Sequence, residues 1–206
     1  MDSQIEKIVA DYDELSEQQI KLRPTLSPEE RERRQDEFII PIGRATGTLL
    51  NLLVKESNAT RILDVGTSYG YSALWLGEAA RQTGGRVISL EIHPAKQEKA
   101  KTAVRNAGLA DWVEFRLGDA RELITALDGP FDFVLIDLWK DLYIPCFDLI
   151  YPKLVPGALI AADNMLEPKQ HREHAEAYRR HIRTKKGIES ILLAVGSGVE
   201  LSRYMG

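Results

Sequence analysis

Short apolar runs recur along the chain after Asn58. The runs are rich in aliphatic and β-branched residues, and each is followed by a polar turn and a helical stretch. Because apolar and polar positions hardly alternate within them, the pattern predicts parallel strands that helices cover on both faces. The predicted strands are Arg61–Val65, Val87–Glu91, Trp112–Leu117, Phe133–Asp137 and Ala158–Asp163.

The C-terminal end of the chain departs from this pattern. Two apolar runs, Glu189–Val195 and Val199–Tyr204, are separated only by Gly196-Ser197-Gly198. A glycine-rich turn between two such runs is typical of a hairpin. The sheet is therefore expected to finish with antiparallel strands.

The N-terminal part is predicted to be helical. Apolar residues recur at helical spacing from Ile5 onward, and Ser27-Pro28-Glu29-Glu30 has the pattern of a helix start with a capping box. We predict one domain over residues 1–206, with an N-terminal helical cover (1–57) and a cofactor- and metal-binding α/β core (58–206). The predicted fold is doubly wound α/β with a mostly parallel, seven-stranded sheet.

In sheets of this kind, ligands bind beyond the carboxyl ends of the strands. The first predicted strand is followed by Gly66 and Gly70, which allow the backbone to turn sharply and approach a ligand. The second ends at Glu91, whose carboxylate can accept hydrogen bonds from both hydroxyls of a ribose. Together they predict a nucleoside site. The loop lacks the third glycine of dinucleotide sites, which favours S-adenosylmethionine because this cofactor carries no phosphate.

Further polar residues follow the fourth and fifth predicted strands. Asp137 ends one strand, and Asp163 and Asn164 end the next. Neighbouring parallel strands bring their carboxyl ends to one edge of the sheet, so these side chains are expected to meet in one crevice. Carboxylate and amide oxygens suit Mg²⁺ or another hard divalent cation and leave coordination positions for a diol.

These residues resemble the cation-dependent O-methyltransferases, a family that includes catechol and caffeoyl-CoA O-methyltransferases. Two motifs, Asp137-x-x-Lys140-Asp141-x-Tyr143 and Ala162-Asp163-Asn164, are similar to the metal-site motifs of the family, and the resemblance runs from about Phe38 to the C-terminus. It implies Mg²⁺-dependent transfer of a methyl group from S-adenosylmethionine to a hydroxyl of a small catechol-like or vicinal diol. It also implies a homodimer, as in many relatives.

The resemblance assigns roles residue by residue. It implies cofactor contacts at Ile42, Gly66, Ser68, Ser72, Glu91, Asp119, Ala120 and Asp137. It implies metal ligation by Asp137, Asp163 and Asn164, with Lys140 as the general base. It implies substrate contacts at Phe38, Trp139, Lys140, Asn164, Pro168, Val199 and Glu200. The sequence departs from the catechol enzymes at Ala120 and Leu138, where they have a serine and a histidine.

A basic stretch is compatible with methyl acceptors other than a small diol. Residues 169–186 contain seven Lys or Arg, two Glu and three His. This composition fits a solvated amphipathic helix, but it also fits a basic rim for a CoA thioester or a modified tRNA base. Two further alternatives on the same fold are an NAD-dependent oxidoreductase and a non-catalytic ligand-binding relative.

The composition of the whole chain bears on its expected partners and cellular location. The net charge of −4 argues against nucleic acid as the main partner. Cys146 is the only cysteine, which excludes an internal disulfide and suits a reducing compartment. The polar N-terminus does not resemble a signal peptide, and no run approaches the ~20 apolar residues of a membrane span. We therefore expect a cytoplasmic protein that does not associate with membranes.

Overall fold

The strands form one seven-stranded sheet in the computed structural model, which describes residues 2–34 and 37–206, without the side chain of Glu32. The strands are β1 (Arg61–Val65), β2 (Arg86–Glu91), β3 (Val113–Leu117), β4 (Phe131–Ile136), β5 (Leu154–Ala162), β6 (Ile188–Leu193) and β7 (Val199–Tyr204). The helices are α1 (Ser3–Leu22), α2 (Pro28–Arg33), α3 (Gly43–Glu56), α4 (Tyr71–Thr83), α5 (Pro94–Asn106), α6 (Ala120–Ala126), α7 (Tyr143–Ile150) and α8 (Arg172–Arg183).

The strand order is β3-β2-β1-β4-β5-β7-β6. Strands β1 to β5 are mutually parallel, whereas β7 pairs antiparallel with both β5 and β6. The predicted doubly wound sheet with a closing hairpin is thus confirmed. The chain order reverses between β1 and β4, and in folds of this type ligands bind at that switch point.

Two apolar clusters cover the sheet, one on each face. One contains side chains of α1, α3, α4 and α5, including Val9, Leu50 and Leu74. The other contains side chains of α6, α7 and α8, including Phe147 and Tyr178. Successive residues of β1 and β4 belong to opposite clusters because side chains alternate across a strand. This explains why those strands are apolar without alternation.

The N-terminal helices form where the sequence predicts them. The capping box of α2 is present: the backbone N–H of Ser27 donates to Glu30 Oε2 at 3.0 Å, and the N–H of Glu30 donates to Ser27 Oγ at 3.2 Å. Helix α1 buries Ile5 and Val9 in the same cluster as α4. Within residues 2–34 and 37–206, no helix is both long enough and apolar enough to cross a bilayer.

Candidate cofactor and metal site

The loop after β1 is built around Gly66. Its φ is +112°, and a Cβ added there would lie 2.0 Å from the carbonyl oxygen of Asp137 at the end of β4. The backbones of the two loops therefore meet so closely that only glycine fits. Gly70 has φ +88° at the start of α4 and completes the turn. Together the two glycines place the loop directly beside the residue that follows β4.

A narrow cleft lies between this loop and the segment that precedes α3. It includes Ile39 to Ile42 on one side. The predicted cofactor residues that line it are Ile42, Gly66, Ser68, Ser72 and Asp137. The structure therefore brings together residues that lie in three separate parts of the sequence.

Glu91, at the end of β2, binds the backbone of the loop that contains Gly66 and Gly70 (the glycine loop). Its carboxylate accepts the backbone N–H of Ser68 at 2.7 Å, of His93 at 2.8 Å and of Ile92 at 2.9 Å. Ser68 has a positive φ of 48°, and this hydrogen bond helps to fix that conformation. A carboxylate offers about four acceptor sites, so three bonds leave room for one hydroxyl of a ligand.

The predicted contacts after β3 lie next to Glu91. The N–H of Gly118 donates to the carbonyl of Glu91 at 2.8 Å. Asp119 caps α6, which begins at Ala120, and accepts the N–H of Arg121 at 2.8 Å. Its hydrogen bonds with the guanidinium and backbone of Arg121 lower its pKa to about 2. The turn is therefore fixed beside Glu91, and the charge of Asp119 is paired with that of Arg121.

Asp64 was not singled out from the sequence as a site residue. It is fully buried in β1, where its Oδ2 accepts the hydroxyls of Ser89 at 2.7 Å and Ser72 at 3.1 Å. Thr67 Oγ1 lies 2.6 Å from Ser89 Oγ and extends the network into the loop. Burial raises the pKa of Asp64 to about 7. A lone acid inside an apolar strand was the signal that could have identified it.

The second cluster forms where β4 and β5 end. The backbone N–H of Asp137 donates to Val65 at 2.9 Å, and that of Asp163 donates to Ile136 at 3.2 Å, so both residues continue the sheet pairing. Lys140 Nζ donates to Asn164 Oδ1 at 2.9 Å, and Asn164 Nδ2 donates to Asp163 Oδ2 at 3.2 Å. Asp137, Asp163 and Asn164 meet here, as predicted from strand adjacency, and Lys140 joins them through Asn164.

Burial dominates the electrostatics of this cluster. It raises the pKa of Asp137, and together with repulsion from Asp137 it raises the pKa of Asp163 to about 8. Burial also lowers the pKa of Lys140, against the attraction of both carboxylates. Two carboxylates share one amine, so added positive charge would be stabilised here.

The donor set fits a hard cation, although its third donor is an amide. Within the described part of the chain, no three His, Cys, Asp or Glu side chains are grouped so that they could share a metal ion. Asp163 Oδ1 is buried and has no hydrogen-bond partner among the described residues. With Asp137 and the amide oxygen of Asn164 it could supply the oxygen ligands that Mg²⁺ prefers.

Tyr143 belongs to this cluster, although its place in the motif did not reveal a role. Its buried hydroxyl accepts a hydrogen bond from Lys140 Nζ and donates to the backbone carbonyl of Asp163 at 3.2 Å. The ammonium group also lies over the ring, 4.1 Å from its centroid. Tyr143 therefore fixes the lysine against the end of β5.

Only some of the residues predicted to contact the substrate are exposed. Trp139 is 54% exposed and Pro168 is also exposed, so both can meet a ligand. Phe38 is only 2% exposed, with Arg23 5.1 Å and Arg34 5.9 Å from its ring centroid. Its ring is thus engaged by the N-terminal segment rather than free to face a substrate.

Glu200 requires a correction. The resemblance implied that it receives the second hydroxyl of a ring contacted by Val199, its neighbour on β7, but adjacent strand residues point to opposite faces of the sheet. Val199 is buried in the cluster that includes α3 and α4. Glu200 is fully buried on the other face, where it accepts from Arg179 Nε at 3.0 Å and Arg183 Nε at 2.9 Å. It therefore fixes α8 instead of receiving a substrate hydroxyl.

Several cations of the basic stretch are used in the same way. Besides the two arginines that bind Glu200, Lys185 pairs with Asp148 at 2.7 Å and His181 lies 2.8 Å from the same carboxylate. Part of the basic charge thus attaches α8 to the body of the protein. This favours the amphipathic-helix interpretation of residues 169–186.

Comparison with known families decides the classification. A family model described as O-methyltransferase matches residues 21–205. The chain belongs to this O-methyltransferase family. Membership favours a methyltransferase over the oxidoreductase alternative, because the matched region includes both the cleft and the acidic cluster.

Among relatives in the O-methyltransferase family, a catechol O-methyltransferase from Niastella koreensis is 35% identical over 62% of this chain and 59% of its own length. A probable O-methyltransferase from Mycobacterium tuberculosis is 32% identical over 73% of this chain and 66% of its own. Caffeoyl-CoA O-methyltransferase 1 from Eucalyptus globulus is 28% identical over 76% of this chain and 72% of its own. The chain spans about three fifths of the catechol O-methyltransferases it matches.

Solved structures share the fold. The O-methyltransferase TomG from Streptomyces achromogenes, in complex with SAM, has a TM-score of 0.76 at 23% identity, covering 100% of this chain and 91% of that one. The O-methyltransferase from Bacillus cereus, in complex with SAH, has a TM-score of 0.75 at 24% identity, covering 99% and 91%. At these identities the likeness concerns the fold alone.

Proposed function

We propose that the protein transfers a methyl group from S-adenosylmethionine to a hydroxyl of a small catechol-like or vicinal diol, in a reaction that depends on Mg²⁺. The observation that carries this proposal is the position of Asp137. It lines the cleft beside the glycine loop and also belongs to the cluster with Asp163 and Lys140. A cofactor in the cleft and an acceptor at the cluster would therefore be neighbours.

The residues around the cleft would bind the cofactor in distinct ways. Gly66 allows the loop to lie directly against the backbone of Asp137, and Glu91 has an acceptor site free for a ribose hydroxyl. Asp119, which caps α6 and is paired with Arg121, lies in the adjoining turn. The free acceptor site of Glu91 suits the ribose of a nucleoside.

At the acidic cluster, Asp137, Asp163 and Asn164 would hold Mg²⁺. When bound, the ion would bring two adjacent oxygens of a diol into a fixed position and lower the pKa of the attacking hydroxyl. Lys140 would accept the proton of that hydroxyl, since burial lowers the pKa of its amine. Of the predicted substrate contacts, Trp139 and Pro168 are exposed and could pack against an aromatic ring.

The test is methyl transfer from S-adenosylmethionine to catechol, with Mg²⁺ and in excess chelator. We expect turnover only with the metal. We expect Lys140→Met to lower kcat by at least about 100-fold, as loss of a general base does, while affinity for S-adenosylhomocysteine stays unchanged. Lys101→Met, which removes an exposed lysine paired with Glu98, is the matched control.

Each result bears on a different part of the proposal. Turnover in chelator would contradict the role of Mg²⁺, and full activity of Lys140→Met would contradict its role as base. Transfer to caffeoyl-CoA or tRNA, but not to catechol, would contradict the proposed diol acceptor and identify the other molecule as the acceptor. The homodimer and the cytoplasmic location stay predictions from the sequence.

A further inference from the structure

Helix α1 is hydrogen-bonded to the glycine loop of the cleft. The hydroxyl of Tyr12, in the middle of α1, donates to the backbone carbonyl of Tyr69 at 2.9 Å. Tyr69 lies between Gly66 and Gly70 and lines the cleft. A residue 57 positions away in the sequence therefore fixes the backbone of the loop.

The next residue of α1, Asp13, binds one residue that lines the cleft and one in the first turn of α3. Its Oδ1 accepts the hydroxyl of Tyr71 at 2.7 Å, and Tyr71 lines the cleft at the start of α4. Its Oδ2 accepts from Arg44 Nε at 3.1 Å, and Arg44 lies two residues after Ile42, which lines the cleft from the other segment. One carboxylate thus joins the loop to the start of α3.

The side chain of Tyr69 adds a second connection. Its hydroxyl donates to the backbone carbonyl of Glu37 at 2.8 Å and accepts a hydrogen bond from Lys99 Nζ at 2.7 Å. Glu37 lies two residues before Ile39, where the segment on the other side of the cleft begins. The two sides are therefore joined at both Asp13 and Tyr69.

We infer that α1 is a positioning element of the cofactor site, in which Tyr12 and Asp13 set the spacing between the glycine loop and the segment before α3. This inference rests on the proposed function, because it treats the cleft as the site of S-adenosylmethionine. Neither residue is required to touch the ligand. Each acts by holding the binding conformation before the ligand arrives, which reduces the ordering needed on binding.

The experiment compares Tyr12→Phe and Asp13→Ala with wild type, using S-adenosylhomocysteine as the probe in titration calorimetry. Loss of one such hydrogen bond is expected to weaken binding roughly three- to tenfold. The KM for S-adenosylmethionine should rise by the same factor while kcat stays within about twofold, because uniform binding is lost and not transition-state binding. Asp13→Asn should restore part of the affinity, since its amide oxygen can still accept from Tyr71.

Tyr151→Phe is the matched control. Its hydroxyl also donates to a backbone carbonyl, that of Lys186 at 2.6 Å, and Tyr151 does not line the cleft. We expect it to lose stability without losing affinity for S-adenosylhomocysteine. Wild-type affinity in Tyr12→Phe and Asp13→Ala, or an equal loss in Tyr151→Phe, would overturn the inference alone. A wild-type protein that binds no S-adenosylhomocysteine would overturn the proposed function and this inference with it.

Discussion

Tyr143 and Tyr178 pack edge to face with their ring centroids 5.5 Å apart, but their hydroxyls differ. That of Tyr143 is bonded to Lys140 and to the carbonyl of Asp163. That of Tyr178 is buried without a hydrogen-bond partner among the described residues. Two buried tyrosines in contact thus provide a variant and its control in one place.

Tyr143→Phe should lower kcat up to about tenfold, because Lys140 would lose its tether and a hydrogen bond contributes about 0.5–1.5 kcal/mol. Affinity for S-adenosylhomocysteine should not change, since Tyr143 does not line the cleft. Steady-state kinetics with catechol measures the first quantity and calorimetry the second. Tyr178→Phe should leave kcat unaltered, and an equal loss in both variants would show that Tyr143 acts only through packing.

Gly66→Ala should be severely destabilising. The added Cβ would meet the carbonyl oxygen of Asp137 at 2.0 Å, and a positive φ of 112° adds strain for any L-residue. Gly84→Ala is the control, because Gly84 has φ +71° but nothing within 4 Å of the added Cβ. Chemical denaturation should show a loss of about 1–2 kcal/mol for Gly84→Ala and a clearly larger loss for Gly66→Ala. Similar losses would mean that the loop can move away from β4.

The pH dependence of stability should reveal Asp64. Its pKa is raised to about 7 in the folded protein, whereas the unfolded chain has the ordinary value near 3.9. Between these values the folded state binds more protons than the unfolded state, so the free energy of unfolding falls as pH rises from about 4 to 7. Asp64→Asn should make this decline shallower in denaturation curves at a series of pH values. Parallel curves for the two proteins would contradict the raised pKa.

Glu200→Gln distinguishes the observed role of this residue from the expected one. Removing its charge leaves Arg179 and Arg183 beside a buried neutral group, so the free energy of unfolding should fall, by less than the ~3 kcal/mol of a fully buried ion pair because both arginines are partly exposed. The KM for catechol should stay at its wild-type value in the folded protein. A raised KM with unchanged stability would restore the substrate contact that the sequence suggested.

The sheet could be predicted because its strands are buried on both faces, which gives β1 and β4 an apolar composition with few interruptions. The acidic cluster followed from the same property. Once β4 and β5 are parallel neighbours, Asp137 and Asp163 must end at one edge of the sheet. Chemistry placed by strand topology can thus be inferred without coordinates.

The errors occurred where position depends on register or on distant packing. The side of β7 that Glu200 occupies is set by its pairing with Ala162, and a one-residue difference in register would reverse it. The contact of Tyr12 with Tyr69 joins residues far apart in sequence, and nothing in the local pattern of α1 distinguishes it from an ordinary amphipathic helix.

The position of Asp137 couples ligand binding at two sites, because its carboxylate borders both the cleft and the acidic cluster. A ligand that changes the charge of Asp137 at one site therefore alters the electrostatic potential at the other site. Such linkage is reciprocal: a cation that strengthens nucleoside binding must itself be bound more tightly, by the same factor, once the nucleoside is present. The affinity of either partner is then defined only together with the concentration of the other.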